Sequence, residues 1–256
     1  MMRPTIQHII RKKGVEKLSM ITCYDYSFAR AINGRVDMIL IGDSMGHVIL
    51  GYDRTSHVSV QDIVVHLSAV RRGAPDTFII ADLPAGSYDT EHDALKNAKT
   101  LINNGADAVK PEGSPNIVRA LTSQGIAVMG HLGYLPQTAD KFRVVGREKE
   151  EANRLVEEAK RIENANAFSL VLECVPASLA GNITANIAIP TIGIGSGVEC
   201  DGQVLVLYDM LGLFTDFKPK FVRRYADMAT LVATAVDAFV DDIKQKRFPS
   251  ENEEYS

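Results

Sequence analysis

One pattern recurs along this 256-residue chain: a short, β-branched apolar run, then a turn, then a stretch with helical spacing. Eight such runs are present. They are Lys17 to Cys23, Met38 to Ile41, Phe78 to Ala81, Ala108 to Val109, Ala127 to Met129, Ser169 to Leu172, Thr191 to Ile194 and Val204 to Leu207. They lack the polar alternation of a strand with one wet face, so they suit strands covered on both sides, as in a parallel sheet with crossover helices. Eight strands alternating with helices predict an α/β chain folded as a (β/α)8 TIM barrel.

The intervening segments carry helix punctuation. From Gln61 to Arg72 the apolar positions Ile63, Val64, Leu67 and Val70 share a face, with Ser59 as N-cap and Gly73 expected in the left-handed C-terminal position. Glu91 to Asn103 and Glu148 to Glu163 repeat the pattern, and Ser114-Pro115 reads as N-cap and first helical residue. A last helix, Tyr225 to Lys246, bears a broad stripe of Leu231, Val232, Ala235, Val236, Phe239, Val240 and Ile243, which predicts packing outside the barrel or against another subunit. No repeat or Pro/Gly-rich linker interrupts the chain. Residues 1–256 are therefore expected to form a single barrel domain with an N-terminal helix and a frayed, acidic tail from Glu251 to Ser256.

Composition excludes several partners. A formal net charge of −4 offers no broad basic field for nucleic acid or anionic lipid, and runs such as Arg11-Lys12-Lys13 read as solvated faces. The start MMRPTIQHIIRKKG has no apolar stretch before a cleavage site, and no spanning run follows it, so no membrane association is expected. Cys23, Cys174 and Cys200 lack paired spacing, which fits a reducing cytoplasm.

In a barrel of this kind, residues just past the strands converge on one mouth. The strand ends read Ile-Gly-Asp43-Ser44, Ala-Asp82-Leu-Pro, Val-Lys110-Pro-Glu112-Gly, Gly-His131-Leu-Gly and Val-Leu-Glu173-Cys174. Taken singly, Asp43 or Asp82 serves equally well as a cap for the next turn. Together, four carboxylates in one basin need protons or a cation to compensate them, and hard oxygen donors select Mg²⁺. Such an ion, chelated by a 2-oxo acid, would polarise the carbonyl and acidify the adjacent C–H. Glu173 then stands as the base, or alternatively as a buried acid paired with a cation such as Lys110. Lys110 suits either neutralisation of a substrate carboxylate or Schiff-base chemistry, and His131 either a substrate contact or a structural hydrogen bond.

These residues sit in segments that resemble the ketopantoate hydroxymethyltransferase family almost end to end. The segments are Ile-Thr-Cys-Tyr-Asp25, Ile-Gly-Asp43-Ser44-Met-Gly, His66 to Pro75, Ala-Asp82-Leu-Pro, Lys110-Pro-Glu112-Gly, Gly-His131-Leu-Gly, Leu-Glu173-Cys-Val-Pro176, Ile-Gly-Ile-Gly195 and Asp201-Gly-Gln-Val-Leu-Val. The resemblance implies a barrel of the phosphoenolpyruvate/pyruvate-binding type and one Mg²⁺ per subunit at Asp43, Asp82 and Glu112. It implies contacts from Asp43, Ser44, Asp82, Lys110 and His131 to a 2-oxo acid, with Glu173 as general base. The implied reaction converts 3-methyl-2-oxobutanoate and 5,10-methylenetetrahydrofolate to 2-dehydropantoate and tetrahydrofolate, in a homo-oligomer, commonly a decamer. Three features depart from the family pattern: Pro111 between the lysine and the glutamate, Ser196 in the glycine run, and a shortened lid-like segment from Pro136 to Arg147. Two other readings compete, a metal-enolate lyase or mutase on the same barrel and a catalytically silent scaffold. The lyase branch's Lys-Cys-Gly-His loop is missing from the sequence.

Overall fold

The computed structural model describes residues 3–255, so Ser256 at the end of the expected tail lies outside the described residues. One compact unit ends at Val206 and a second begins at Leu207. In the first, helix α1 (Ile6–Arg11) precedes an alternation of β1 (Leu18–Thr22), α2 (Tyr26–Ile32), β2 (Met38–Ile41), α3 (Met45–Val48), α4 (Val60–Gly73), β3 (Phe78–Asp82), α5 (Glu91–Asn103) and β4 (Ala108–Lys110). It continues through α6 (Pro115–Thr122), β5 (Met129–Gly133), α7 (Lys149–Asn164), β6 (Ser169–Glu173), α8 (Ala177–Asn186), β7 (Thr191–Ile194) and β8 (Gly202–Leu205).

All ladders are parallel, in the order β4-β3-β2-β1-β8-β7-β6-β5. The sheet curls into a nearly closed barrel, its ends joined by the bridge Val109–Val128, where the Val109 N–H donates to the Ala127 carbonyl at 3.0 Å, and by the Gly113 N–H donating to the His131 carbonyl at 2.9 Å. This is the expected eight-stranded α/β architecture. Strands β2, β3, β4 and β7 are buried at every position. Each isoleucine or leucine so buried contributes ~1.5–3 kcal/mol from water exclusion.

The helices follow the sequence punctuation with informative exceptions. Ile63, Leu67 and Val70 are fully buried on α4 while Val65 on the opposite face is 58% exposed. Ser59 accepts the Asp62 N–H, Thr90 caps α5, and Ser114 caps α6 ahead of Pro115, all as the sequence predicts or permits. Gly73 differs from expectation: it stays within α4, and a Cβ there would lie 2.6 Å from the Tyr26 carbonyl and 2.7 Å from the Ala29 side chain. Its smallness serves the close approach of α2 rather than a left-handed cap. Strand β5 is also displaced, covering Met129–Gly133 instead of ending at Met129, since its register with β6 runs from Met129–Ser169 to Gly133–Glu173.

The N-terminal ends of the strands are held by three aspartates, each immediately before an even-numbered strand. Asp37 accepts the Ser19 N–H at 2.8 Å and pairs with Lys12 at 2.5 Å. Asp107 accepts the Ile79 N–H at 2.8 Å and pairs with Arg71 at 2.5 Å. Asp201 accepts the Thr191 N–H at 2.8 Å and pairs with Lys13 at 2.8 Å. Each carboxylate thus ties its own strand to the preceding one and owns a cation.

The second unit contains α9 (Leu207–Met210) and α10 (Met228–Lys244). Helix α10 starts three residues later than the apolar stripe suggests, because the Asp227 side chain accepts the Thr230 N–H and sets the first turn. No residue of α10 is buried on the single chain, and its stripe is open, with Leu231 63% and Val236 53% exposed. No helix among the described residues is long and apolar enough to cross a membrane.

Candidate active site

The predicted acids and bases meet at the C-terminal ends of the strands. Asp82 and Lys110 are the last residues of β3 and β4 and are Cα partners in the ladder, which sets the Lys110 Nζ 2.8 Å from Asp82 Oδ1. Asp43 lies two residues past β2, and its backbone N–H donates to Asp82 Oδ2 at 3.1 Å. Glu112 follows β4 by two residues, after Pro111, whose missing N–H cannot extend the strand. His131 sits in the middle of β5 rather than beyond it, so strand alternation turns it towards the barrel interior with Met129 and Gly133 on its face. Its Nδ1 faces Glu112 Oε1 at 3.5 Å and its Nε2 faces Glu173 Oε2 at 3.2 Å, approaches governed by charge rather than by hydrogen-bond alignment.

Glu173 ends β6. It differs from its neighbours in access: its side chain is 17% exposed, against 2% for Asp82 and Glu112. Its cationic partner is His131, and Lys110 is taken by Asp82. Gly133 makes the approach of β5 to this residue feasible, with φ +101° and a Cβ position only 2.2 Å from the Glu173 carbonyl. On the other side, the buried Ser196 hydroxyl donates to the Leu172 carbonyl at 2.7 Å and accepts the Val175 N–H at 3.1 Å, fixing the backbone on both flanks of Glu173. Ser44, partly exposed, has its hydroxyl 2.6 Å from the buried Tyr24 phenol.

Electrostatics follow from crowding. Burial, with the charges of Asp82 and Glu112, pushes the Asp43 carboxyl up to about 8. Burial also raises Asp82, against the pull of Lys110. For Lys110 burial works against the ammonium, yet Asp82, Asp43 and Glu112 hold its pKa above the ordinary lysine range. For His131 burial and Lys110 favour the neutral ring, but Glu112 and Glu173 raise it to about 9, so the imidazolium prevails at neutral pH. Cys174, next to Glu173, is pushed up to about 12 by burial and by the Glu173 charge, so its thiol stays protonated and carries no nucleophilic role.

Two residues outside the predicted set complete the cluster. Gln137, six residues after His131, donates from Nε2 to Asp43 Oδ2 at 2.9 Å and to the Leu83 carbonyl at 3.0 Å, and its backbone N–H donates to Glu112 Oε2 at 3.1 Å. The Tyr88 hydroxyl donates to Gln137 Oε1 at 2.6 Å. The sequence places Gln137 in a lid-like segment; the only signal of its role is a polar residue shortly after a strand end. On either side of it in the chain, Gly133, Tyr134, Leu135, Thr138, Lys141 and Arg143 contribute to the lining of a cavity of about 570 Å³.

A family model described as ketopantoate hydroxymethyltransferase matches residues 3–251. The chain belongs to the ketopantoate hydroxymethyltransferase family. It is 47% identical over 254 residues to the 3-methyl-2-oxobutanoate hydroxymethyltransferase of Caldivirga maquilingensis, covering 96% of each chain. It is 48% identical to the enzyme of that name from Desulfotalea psychrophila, covering 97% of this chain and 92% of the relative. The chain is accordingly an enzyme, a one-carbon transferase of pantothenate biosynthesis. Among solved structures, phosphonopyruvate hydrolase in complex with oxalate and Mg²⁺ superposes with a TM-score of 0.64 at 10% identity, covering 98% of this chain and 93% of that one. A 2,3-dimethylmalate lyase of the PEP mutase/isocitrate lyase superfamily superposes at 0.61 with 15% identity, covering 98% and 91%. At such low identity these likenesses concern the fold alone.

Proposed function

We propose that the chain joins 3-methyl-2-oxobutanoate to the one-carbon unit of 5,10-methylenetetrahydrofolate, with Glu173 as the base and Asp43, Asp82 and Glu112 as the holders of Mg²⁺. The observation that carries this reading is the pairing of one accessible acid, Glu173, with three buried carboxylates that, among the described residues, face only Lys110 and an imidazolium, His131, which Glu173 shares. The donor set is all oxygen, and burial with the neighbouring acids makes ionising Asp43 costly, a cost that a hard divalent ion would offset in place of the proton. Among the described residues no three acids, histidines or cysteines form a ready-made cage. Mg²⁺ needs none, because it retains waters and takes one or two carboxylates together with substrate oxygens. When bound, the ion supplies Lewis-acid polarisation of the 2-oxo carbonyl.

The protein groups do the rest. Lys110 and Ser44 fix the substrate carboxylate and carbonyl. Glu173 takes the C3 proton, the C–H electron pair forms the new bond to the methylene carbon, and water supplies the hydroxyl oxygen as the C–N bonds to the folate break. His131, held as an imidazolium between Glu112 and Glu173, keeps the base oriented and disperses its charge. The cavity beside Gly133 has the volume of a small-molecule site, and Tyr134, Lys141 and Arg143 suit the flat pterin and anionic tail of a folate. The open stripe on α10 supports a homo-oligomer, and the three free, buried cysteines support a cytoplasmic setting.

Supplying both substrates and Mg²⁺ should yield 2-dehydropantoate, and Glu173→Gln should lower kcat by roughly 10²–10⁴-fold with an unchanged melting temperature. Full turnover in that variant, or cleavage of isocitrate in place of transfer, would remove the assignment. Light scattering at micromolar concentration checks the oligomer, and a monomer would contradict it.

A further inference from the structure

We infer that Gln137 is a positioning residue that holds the metal-binding carboxylates in register across four consecutive strand ends. The inference rests on the Mg²⁺ reading above. Gln137 is buried, and its carboxamide is saturated: both Nε2 protons and the Oε1 acceptor have partners. That saturation also fixes which way the amide faces. Turned over, Oε1 would oppose two acceptors, Asp43 Oδ2 and the Leu83 carbonyl, so only one orientation satisfies the site.

The bonds close into a ring. The Glu112 N–H donates to the Tyr88 hydroxyl at 3.3 Å, Tyr88 donates to Gln137 Oε1, Gln137 Nε2 donates to Asp43 and Leu83, and the Gln137 N–H returns to Glu112 Oε2. The ring therefore links the segments following β2, β3, β4 and β5. Asp43 and Glu112 each spend one oxygen on a neutral Gln137 donor, which limits rotation and sets the direction of the other oxygen, while Asp82 is tied to Asp43 through the Asp43 N–H.

Neutrality matters here. A lysine or arginine in the same place would offset the repulsion between Asp43 and Glu112 but would cancel the negative field that draws a cation. An amide orients the acids and leaves their charge intact. The same residue lies within the segment that lines the 570 Å³ cavity, between Leu135 and Thr138, so the ring also anchors that loop.

Titration calorimetry with Mg²⁺ alone, on the substrate-free full chain, tests the inference. Gln137→Ala should weaken Mg²⁺ binding by about 10–100-fold, the range expected when a group supporting a metal ligand is removed. The Mg²⁺ concentration for half-maximal activity should rise by the same factor, while kcat at saturating Mg²⁺ changes far less. Tyr88→Phe, which removes only the hydroxyl that orients the amide, should shift Mg²⁺ affinity in the same direction, and it decides the matter if Gln137→Ala does not fold. Gln137→Lys should abolish Mg²⁺ binding. Asp82→Ala separates the two levels. If it loses Mg²⁺ while Gln137→Ala and Tyr88→Phe bind within twofold of the parent, the positioning role is overturned and the metal assignment stands. If Asp82→Ala also binds Mg²⁺ like the parent, both fall.

Discussion

The two rims of the barrel use the same residue types to opposite ends. At the N-terminal rim Asp37, Asp107 and Asp201 each have a backbone N–H and a cation of their own. At the C-terminal rim Asp43, Asp82, Glu112 and Glu173 share Lys110 and His131. The first arrangement converts charge into strand register. The second leaves charge unsatisfied, at a cost to the ligand-free chain, and so keeps it available for chemistry. What separates them is the supply of partners, since helices and the N-terminal segment deliver Lys12, Lys13 and Arg71 to one end only.

The sharpest break in this contrast is Asp201→Ala. It leaves Lys13 with only the Thr184 carbonyl and deprives the Thr191 N–H of its acceptor, and should cost about 3–5 kcal/mol. For a chain of this size that is a fall in melting temperature of roughly 10 °C, with kcat at 25 °C retained. Thermal melts alongside assays would refute the division of labour if the activity loss exceeded the stability loss.

The rims should also titrate with opposite sign. Asp43 has a folded pKa of about 8 against 3.8 for the free group, so metal-free folded chain holds a proton that the unfolded chain has released. The stability from that proton is fully present below about pH 4 and is lost as pH rises through 8. Asp37 is the reverse. Although burial opposes it, Lys12 and Ser19 hold its carboxyl below the usual range, so its contribution is present at neutral pH and lost on acidification below the free-group value of 3.8. In chelator, Asp43→Asn should therefore melt several degrees above the parent at pH 8, with the gap closing towards pH 4. A gap independent of pH would show that the Asp43 charge is already compensated.

The smallest effect belongs to Ser196→Ala, which deprives Leu172 and Val175 of their bridge and should cost about 1–2 kcal/mol. Because those residues flank Glu173, kcat should fall a few-fold as well. Loss of stability with kcat intact would place Ser196 with the structural rim instead.

Much of the C-terminal rim is legible in the sequence because strand-end position implies convergence: Asp43, Asp82, Lys110, Glu112 and Glu173 are all found from short apolar runs. His131 is misplaced by a few residues, since β5 contains two glycines and a histidine and its apolar signal stops at Met129. Its extent depends on the ladder to β6. Helix α8 is silent for a related reason, its Ala, Ser, Gly and Asn residues giving little periodic contrast. Gln137 and Tyr88 are invisible because a loop residue acquires its address from tertiary structure. Nothing local in the sequence marks Asp37, Asp107 and Asp201 for the cation each will meet.

The bridge between Val109 and Val128 is the narrowest join in the barrel wall, and the ring through Glu112, Tyr88 and Gln137 lies just above it. The seam and the site thus share their fastenings. Whatever Asp43 and Glu112 grip will also cinch β4 to β5, so occupancy should slow amide exchange along this one seam far more than around the rest of the wall. The barrel is, in effect, a hoop whose clasp is its own carboxylate-lined mouth.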